Sequence, residues 1–150
     1  MSAALAVPTF IDTNILVYAH DRSETRRRSI AATLLDELWR RRTGIVSTQV
    51  LQEFYRVITR RFDPPMAARQ ARALVEVYAE WRVVRIDVAL ILAASRLEER
   101  HTVSFWDGLI VEAARRAGAR RILSEDLQAG RRFGTVRIED PFGVAGTDRD

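Results

Sequence analysis

The segment Pro8-Thr9-Phe10-Ile11-Asp12-Thr13-Asn14 places an acid and two polar side chains directly after a short apolar run. The run Thr9-Phe10-Ile11 has the composition of a buried strand, and the residues that follow Asn14 fit one or two turns of helix. An aspartate between a strand and a helix is often an N-cap, but Thr13 or Asn14 could cap this helix equally well. Asp12 is therefore available for another role.

The same alternation of strand and helix continues along the chain. Further strands are predicted at residues 45–47, 83–86 and 121–124, with a weaker one at 135–138. Amphipathic helices are predicted over about 24–42, from a Thr48 cap to 61, from Pro65 to 80, and after caps at Asp87 and Ser104. This pattern predicts a three-layer α/β fold, in which a central parallel sheet of about five short strands carries helices on both faces.

Length and composition limit the class of protein. The chain has 150 residues, the size of one domain, which we expect to span residues 1–142 with a C-terminal tail at 143–150. It contains no cysteine, which excludes disulfides and thiolate metal sites. Its apolar runs are too short for a membrane span, and its start lacks the basic segment of a signal peptide. We therefore expect a cytoplasmic protein that does not contact a membrane.

The basic residues are unusual because every one of the 24 is an arginine. The net charge is +4, and a guanidinium group matches phosphate in bidentate geometry, so a nucleic-acid partner is one interpretation. The other is that these arginines stand where lysine would otherwise form a solvated surface. For most of the clusters taken singly, the second interpretation is the simpler.

Two further acids lie close to apolar helix faces. At 100° per residue, Glu53 falls beside Val57 on the edge of the inward face of its helix, where a carboxylate needs a partner such as Arg56. Asp107 lies three residues after Ser104, a spacing that resembles a capping box. Its helical angle nevertheless directs it toward the apolar side of the helix, which a capping role does not explain.

A fourth acid follows the strand at 121–124. Glu125 and Asp126 are adjacent there, and either can be a turn residue. Leu127 should anchor the turn in the core and so direct Asp126 toward a groove. Glu125 would then face solvent or support the site indirectly. We therefore assign the site position to Asp126, with Glu125 as the alternative.

Taken together, the four acids predict a metal site. Carboxylates close to apolar surface carry a desolvation cost, and hard divalent cations that prefer oxygen ligands would offset it. In parallel sheets ligands bind outside the carboxyl ends of the strands, where Asp12 and Asp126 are placed. We assign Asp12 and Asp107 as direct ligands. Glu53 and Asp126 could bind directly, act through water or orient a nucleophile. One or two such cations could support hydrolysis of a phosphodiester.

These segments also resemble a known family, the PIN-domain ribonucleases, and within it the VapC toxins of bacterial toxin–antitoxin pairs. The resemblance covers the chain from about Pro8 to Phe142, and four motifs carry it in order: Phe10-Ile11-Asp12-Thr13-Asn14, Ser47-x-Gln49-Val50-Leu51-x-Glu53-Phe54, Ser104-Phe105-Trp106-Asp107-Gly108-Leu109-Ile110 and Leu123-Ser124-Glu125-Asp126-Leu127. The family usually has alanine where this chain has Gly108, a change too small to disturb the site.

The resemblance implies an endoribonuclease that uses Mg²⁺ or Mn²⁺. It implies metal-site roles for four acids and supporting roles for three polar residues, namely Asp12, Glu53, Asp107 and Asp126, with Thr13, Asn14 and Ser124. It also implies an RNA substrate, a homodimer and a cognate antitoxin that inserts a segment into the active-site groove.

Three alternatives compete with this interpretation. One is a metal-dependent DNA or flap nuclease, although such enzymes usually need more polypeptide to hold DNA. Another is a catalytically weak PIN-like module that binds RNA or a partner, which the presence of all four acids disfavours. A phosphatase with an aspartate nucleophile would need a second aspartate two residues after Asp12, where this chain has Asn14.

Overall fold

Residues 6–143, the part of the chain that the computed structural model describes, contain six strands and six helices, with a pair of helices between each two of the first four strands. The strands are β1 Thr9–Ile11, β2 Gly44–Ser47, β3 Arg82–Val84, β4 Arg121–Leu123, β5 Arg132–Phe133 and β6 Val136–Glu139. The helices are α1 Thr13–Ala19, α2 Thr25–Arg41, α3 Thr48–Arg60, α4 Ala68–Tyr78, α5 Val88–Arg100 and α6 Phe105–Arg116. Apart from Gly143, the predicted tail at 143–150 lies outside the described residues.

One sheet contains all six strands, in the order β3-β2-β1-β4-β6-β5. Every neighbouring pair is parallel except β5 and β6, which are antiparallel. The predicted α/β class is confirmed, and so is the predicted parallel sheet except for the antiparallel β5–β6 pair at its edge; the sheet has one strand more than expected. The additional strand, β5, is only two residues long, too short to show a periodic pattern. A turn at Gly134, whose φ is +64°, joins it to β6.

The central strands explain why helices are needed on both sides of the sheet. Every residue of β1 and β2 is buried, so neither face of these strands meets water. Parallel strands of this kind occur where helices cover both faces. The helices form two packed groups: α1 contacts α2 and α3, and α3 contacts α4, whereas α5 packs on α6.

Side-chain caps begin four of the six described helices and correct one predicted cap. The predicted caps Asp87 and Ser104 are present, since their side chains accept the N–H groups of Leu90 and Asp107 at 2.9 and 3.1 Å. The predicted Thr48 cap of α3 is wrong. Ser47 caps that helix by accepting from the Val50 N–H at 3.2 Å, because the Thr48 hydroxyl accepts from the Ile86 N–H, also at 3.2 Å.

The helix predicted from Pro65 begins three residues later, at Ala68. The Met66 N–H donates to the Ile58 carbonyl at 3.0 Å, so the chain after Pro65 first folds back on α3. Ala67 keeps an extended conformation before the first helical residue. Across residues 6–143, none of the helices combines the length and the apolar character needed to cross a membrane.

Candidate active site

The four predicted acids come from four separate elements and line one groove of about 640 Å³. Asp12 follows β1, and Asp126 lies in the loop after β4. Glu53 is on α3, which begins directly after β2, and Asp107 is in the first turn of α6. The groove therefore lies at the carboxyl end of the parallel strands, as the sequence predicts.

Asp12 is both the N-cap of α1 and a wall of this groove. It is only 8% exposed. Its Oδ1 accepts from the Thr13 N–H at 2.8 Å, and its Oδ2 accepts from the Ser124 hydroxyl at 2.7 Å. Burial raises the pKa of Asp12 to about 6; these two hydrogen bonds oppose the rise, while the charges of Asp126 and Glu53 add to it. The capping interpretation is thus correct but incomplete.

Ser124 connects the strand end to the acidic loop. It is fully buried, and its oxygen accepts from the backbone N–H groups of Asp126 and Leu127, both at 3.1 Å. Because the same hydroxyl donates to Asp12, one side chain fixes the loop and orients the buried acid. Leu127 is buried, as predicted, and anchors the turn.

Asn14 and Thr13 link the acids to one another. The Asn14 amide donates to Asp126 Oδ2 at 3.1 Å and lies 3.5 Å from Asp12 Oδ2, while its oxygen accepts from the Glu125 N–H at 3.1 Å. The Thr13 hydroxyl donates to Glu53 Oε1 at 3.1 Å. The first turn of α1 therefore holds two acids from distant parts of the chain beside Asp12.

Glu53 differs from its prediction. It is exposed, and Arg56 does not form an ion pair with it. The position at the edge of the helix face directs the carboxylate into the open groove, where water can solvate it and Thr13 is its hydrogen-bond partner.

Asp107 is half-buried, as its helical angle predicts. Burial raises the pKa of Asp107, the Ser104 hydrogen bond opposes this, and the charge of Asp126 adds to it.

Glu125 turns away from the groove. Its Oε2 accepts from the Arg27 guanidinium at 2.7 and 2.8 Å, and its Oε1 accepts from the Tyr18 hydroxyl at 2.5 Å. Burial, followed by this hydrogen bond, raises the pKa of Tyr18 to about 12, so the hydroxyl remains a donor. Of the two roles expected for Glu125, facing solvent is wrong, because its side chain is only 21% exposed. Its indirect support of the site stays a prediction.

The two histidines lie outside the groove. The His20 ring packs between Phe54 and Tyr78, and its Nε2 lies 2.8 Å from the Tyr78 hydroxyl. Burial lowers the pKa of His20. His101 ends α5, as its sequence position predicts, and its ring meets the edge of Phe133. His20 therefore has a packing role.

With this geometry in place, comparison with known proteins assigns the chain to a family. The profile of the PIN domain matches residues 9–132, most of the chain. The chain belongs to the PIN domain family. No curated protein sequence is significantly similar to it.

Two solved structures share the fold of this PIN domain. One is VapC20 of Mycobacterium tuberculosis, a sarcin-ricin loop cleaving toxin, with 20% identity and a TM-score of 0.58 over 76% of this chain and 86% of that one. The other is VapBC2 of Rickettsia felis bound to a DNA fragment from its promoter, with 18% identity and a TM-score of 0.58 over 88% of this chain and 97% of that one. At this identity the likeness concerns the fold.

The donor set of the PIN domain suits a hard cation that keeps much of its water. Across the described residues 6–143, no group of three or more His, Asp or Glu side chains is arranged to hold a metal ion by itself. Mg²⁺ is commonly held by one or two carboxylates, with water and substrate phosphate as the remaining ligands. Burial, with a smaller contribution from neighbouring acids, raises the pKa of Asp12 and Asp107, and a cation beside either carboxylate would oppose that rise.

Several groove residues were not predicted as site residues. They are Tyr18, Gln49, Arg56, Arg61 and Trp106. Gln49 is 8% exposed and its Nε2 donates to the Trp106 carbonyl at 3.4 Å, whereas its Oε1 is buried without a hydrogen-bond partner among the described residues. The sequence contains a signal for one of these residues, Trp106: the aromatic pair Phe105-Trp106 directly precedes Asp107, and a capping role for Asp107 does not explain that pair.

Proposed function

We propose that this PIN domain is a divalent-metal-dependent endoribonuclease and the toxin of a toxin–antitoxin pair. The observation that carries the proposal is the convergence of Asp12, Glu53, Asp107 and Asp126 on one open groove. Hydrogen bonds from Thr13, Asn14 and Ser124 hold three of these acids in place. Acids that served only as helix caps would not need to meet in this way.

In this proposal Asp12 and Asp107 hold Mg²⁺ or Mn²⁺, with Asp126 and Glu53 as further ligands, direct or through water. A bound ion would neutralise charge on the scissile phosphate and lower the pKa of an attacking water. Asp12 cannot rotate away, because Ser124 and Thr13 bond both of its oxygens. Glu53 is exposed and in the same groove, so it can orient the water and accept its proton.

The partners follow from the relatives and are part of the proposal. VapC20 cleaves the sarcin-ricin loop, which supports RNA as the substrate class. The structure of VapBC2 supports a second protein as the antitoxin of this chain. Family resemblance adds a homodimer, in which each copy carries its own groove.

A cleavage assay on labelled single-stranded and hairpin RNA tests the activity. We expect cleavage with Mg²⁺ or Mn²⁺, none in excess chelator, and a loss of about 100-fold or more for Asp107→Asn. Asp36→Asn is the matched control, because this exposed acid lies on α2, outside the groove, and pairs there with Arg40. Equal cleavage in chelator would refute the metal mechanism, and faster cleavage of DNA than RNA would favour a DNA nuclease.

A further inference from the structure

Trp106 is the most exposed of the aromatic side chains beside the four acids. It is 65% exposed, although large apolar side chains are usually buried. The Phe105 ring meets the Trp106 ring edge to face at 5.2 Å, and Gln49 Nε2 donates to the backbone carbonyl of Trp106 at 3.4 Å. Trp106 precedes Asp107 in sequence and lines the same groove. A flat aromatic surface is therefore presented to solvent next to the predicted centre of catalysis.

Two arginines lie in the same groove without partners. Arg56 and Arg61 are exposed, and within residues 6–143 neither guanidinium forms an ion pair or a hydrogen bond. Many other arginines of the chain do have partners: Arg27, Arg40, Arg41, Arg115, Arg116 and Arg121 pair with carboxylates, and Arg26, Arg82 and Arg131 donate to carbonyl oxygens. The two groove arginines therefore remain available to an anion.

We propose that Trp106, Arg56 and Arg61 form a subsite that binds a single-stranded nucleotide next to the scissile phosphate. The base stacks on the Trp106 ring, and the two guanidinium groups contact the phosphates of the flanking nucleotides. Proteins that bind single strands combine an aromatic platform with a positively charged groove in this way. The assignment of the ligand to RNA rests on the proposed function; the stacking geometry itself requires only an unpaired base.

The charge of the groove explains why the arginines are needed there. Four acids alone would repel a polyphosphate, and any bound cation would act only at the scissile position. Arg56 and Arg61, on α3 and directly after it, add two positive charges in the same groove. A base without a paired strand can then reach Trp106, whereas a base inside a duplex is already stacked on its neighbours.

Tryptophan fluorescence measures this subsite without any catalysis. The titration uses a single-stranded RNA of about eight nucleotides in excess chelator, so that no cleavage interferes. We expect RNA to quench the wild type and Trp39→Phe but not Trp106→Phe. Trp39 is the matched control because it is also exposed, at 41%, and lies in a cavity with Pro8 and Gly44 at the opposite end of the strands.

Affinity gives a second, independent measurement. We expect Trp106→Ala to bind the labelled strand about tenfold more weakly, because one base loses its stacking partner. Leu92→Ala, on the exposed surface of α5, should bind as the wild type does. Arg56→Gln and Arg61→Gln should each reduce the slope of log affinity against log salt by about 0.7, whereas Arg96→Gln should not change it.

The outcomes separate this subsite from the proposed ribonuclease activity. If the protein binds RNA but cleaves none, and Trp106→Ala weakens that binding, the proposed subsite is supported and the proposed ribonuclease activity is refuted. If the wild type cleaves RNA, but neither its affinity nor its quenching depends on Trp106, the activity is supported and the subsite is refuted. Equal affinity for a blunt duplex and for the single strand would overturn the subsite. So would a change of oligomeric state on Trp106→Ala in the absence of RNA, because Trp106 would then be a contact between protein chains.

Discussion

Asp12 caps α1 and also lines the groove of the proposed metal site, and its carboxylate is buried there. Burial raises its pKa from the ordinary 3.8 to about 6. Between about pH 4 and pH 6 the unfolded chain has lost this proton while the folded protein retains it. The free energy of unfolding therefore falls as pH rises through this range, by about 3 kcal/mol for a difference of this size.

The first prediction follows from that sign. Asparagine at position 12 has the same shape as aspartate but carries no negative charge at any pH in this range. We expect Asp12→Asn to be more stable than wild type at pH 7.5 by about 1–3 kcal/mol, an advantage that shrinks toward zero below about pH 4. Denaturant unfolding at several pH values measures this difference. A difference that does not vary with pH would contradict the raised pKa.

Substitutions of the adjacent acids Glu125 and Asp126 should affect different properties, stability for Glu125 and RNA cleavage for Asp126. Asp126 lines the groove, so Asp126→Asn should sharply reduce metal-dependent cleavage with little loss of stability. Glu125 pairs with Arg27, both side chains being partly exposed, so Glu125→Gln should cost about 1 kcal/mol and preserve most cleavage. Parallel cleavage assays and melting curves test both variants. The opposite order of activities would transfer the site role to Glu125.

At the scale of elements, two glycines mark places where neighbouring segments approach closely. A Cβ at Gly44, the first residue of β2, would lie 2.6–2.7 Å from the ring of Trp81. A Cβ at Gly108 on α6 would lie 3.1 Å from the Ala94 carbonyl oxygen of α5. The first contact is with a packed ring and is too short to be accepted, whereas the second needs a shift of only a few tenths of an ångström.

We therefore expect alanine to destabilise the protein at Gly44 but to be tolerated at Gly108. Gly44→Ala should destabilise the protein by about 1–3 kcal/mol, because the Trp81 ring must move. Gly108→Ala gains about 1 kcal/mol of helix propensity, which offsets the tighter contact, so the net change should stay within about 1 kcal/mol. Denaturant unfolding of the two variants compares them directly. A larger loss at Gly108 would show that α5 cannot shift.

The order of elements could be predicted because each buried strand is an apolar run that ends at a polar residue. The loop after β4 shows where prediction from the sequence ended. Adjacent residues at a strand end point in different directions, so one of Asp126 and Glu125 could enter the groove but not both. Arg27, which holds Glu125 away from it, lies 98 residues earlier. No local pattern predicts a pair over that separation, and the same is true of the Thr13–Glu53 hydrogen bond.

At the scale of the whole molecule, the proposed site should couple metal binding to folding. A cation that binds only the folded protein raises its stability by mass action, by about 2.7 kcal/mol at one hundred times the dissociation constant. We expect Mg²⁺ or Mn²⁺ at millimolar concentration to raise the Tm by several degrees. Asp12→Asn should abolish that increase while melting cooperatively. A variant that responds as the wild type does would place the metal elsewhere.

The position of β4 and β6 in the sheet has a consequence for synthesis of the protein. β4 pairs with β1 on one side and with β6 on the other, and the loop that carries Asp126 leaves directly from β4. A ribosome delivers these last strands only after most of the chain has emerged. Until those strands emerge, the nascent chain lacks both the loop of Asp126 and the strand β4 that pairs with β1, so the groove of the proposed nuclease is incomplete during translation. We therefore expect a chain truncated before Arg121 to retain three of the four acids, Asp12, Glu53 and Asp107, and to cleave no RNA in the same assay.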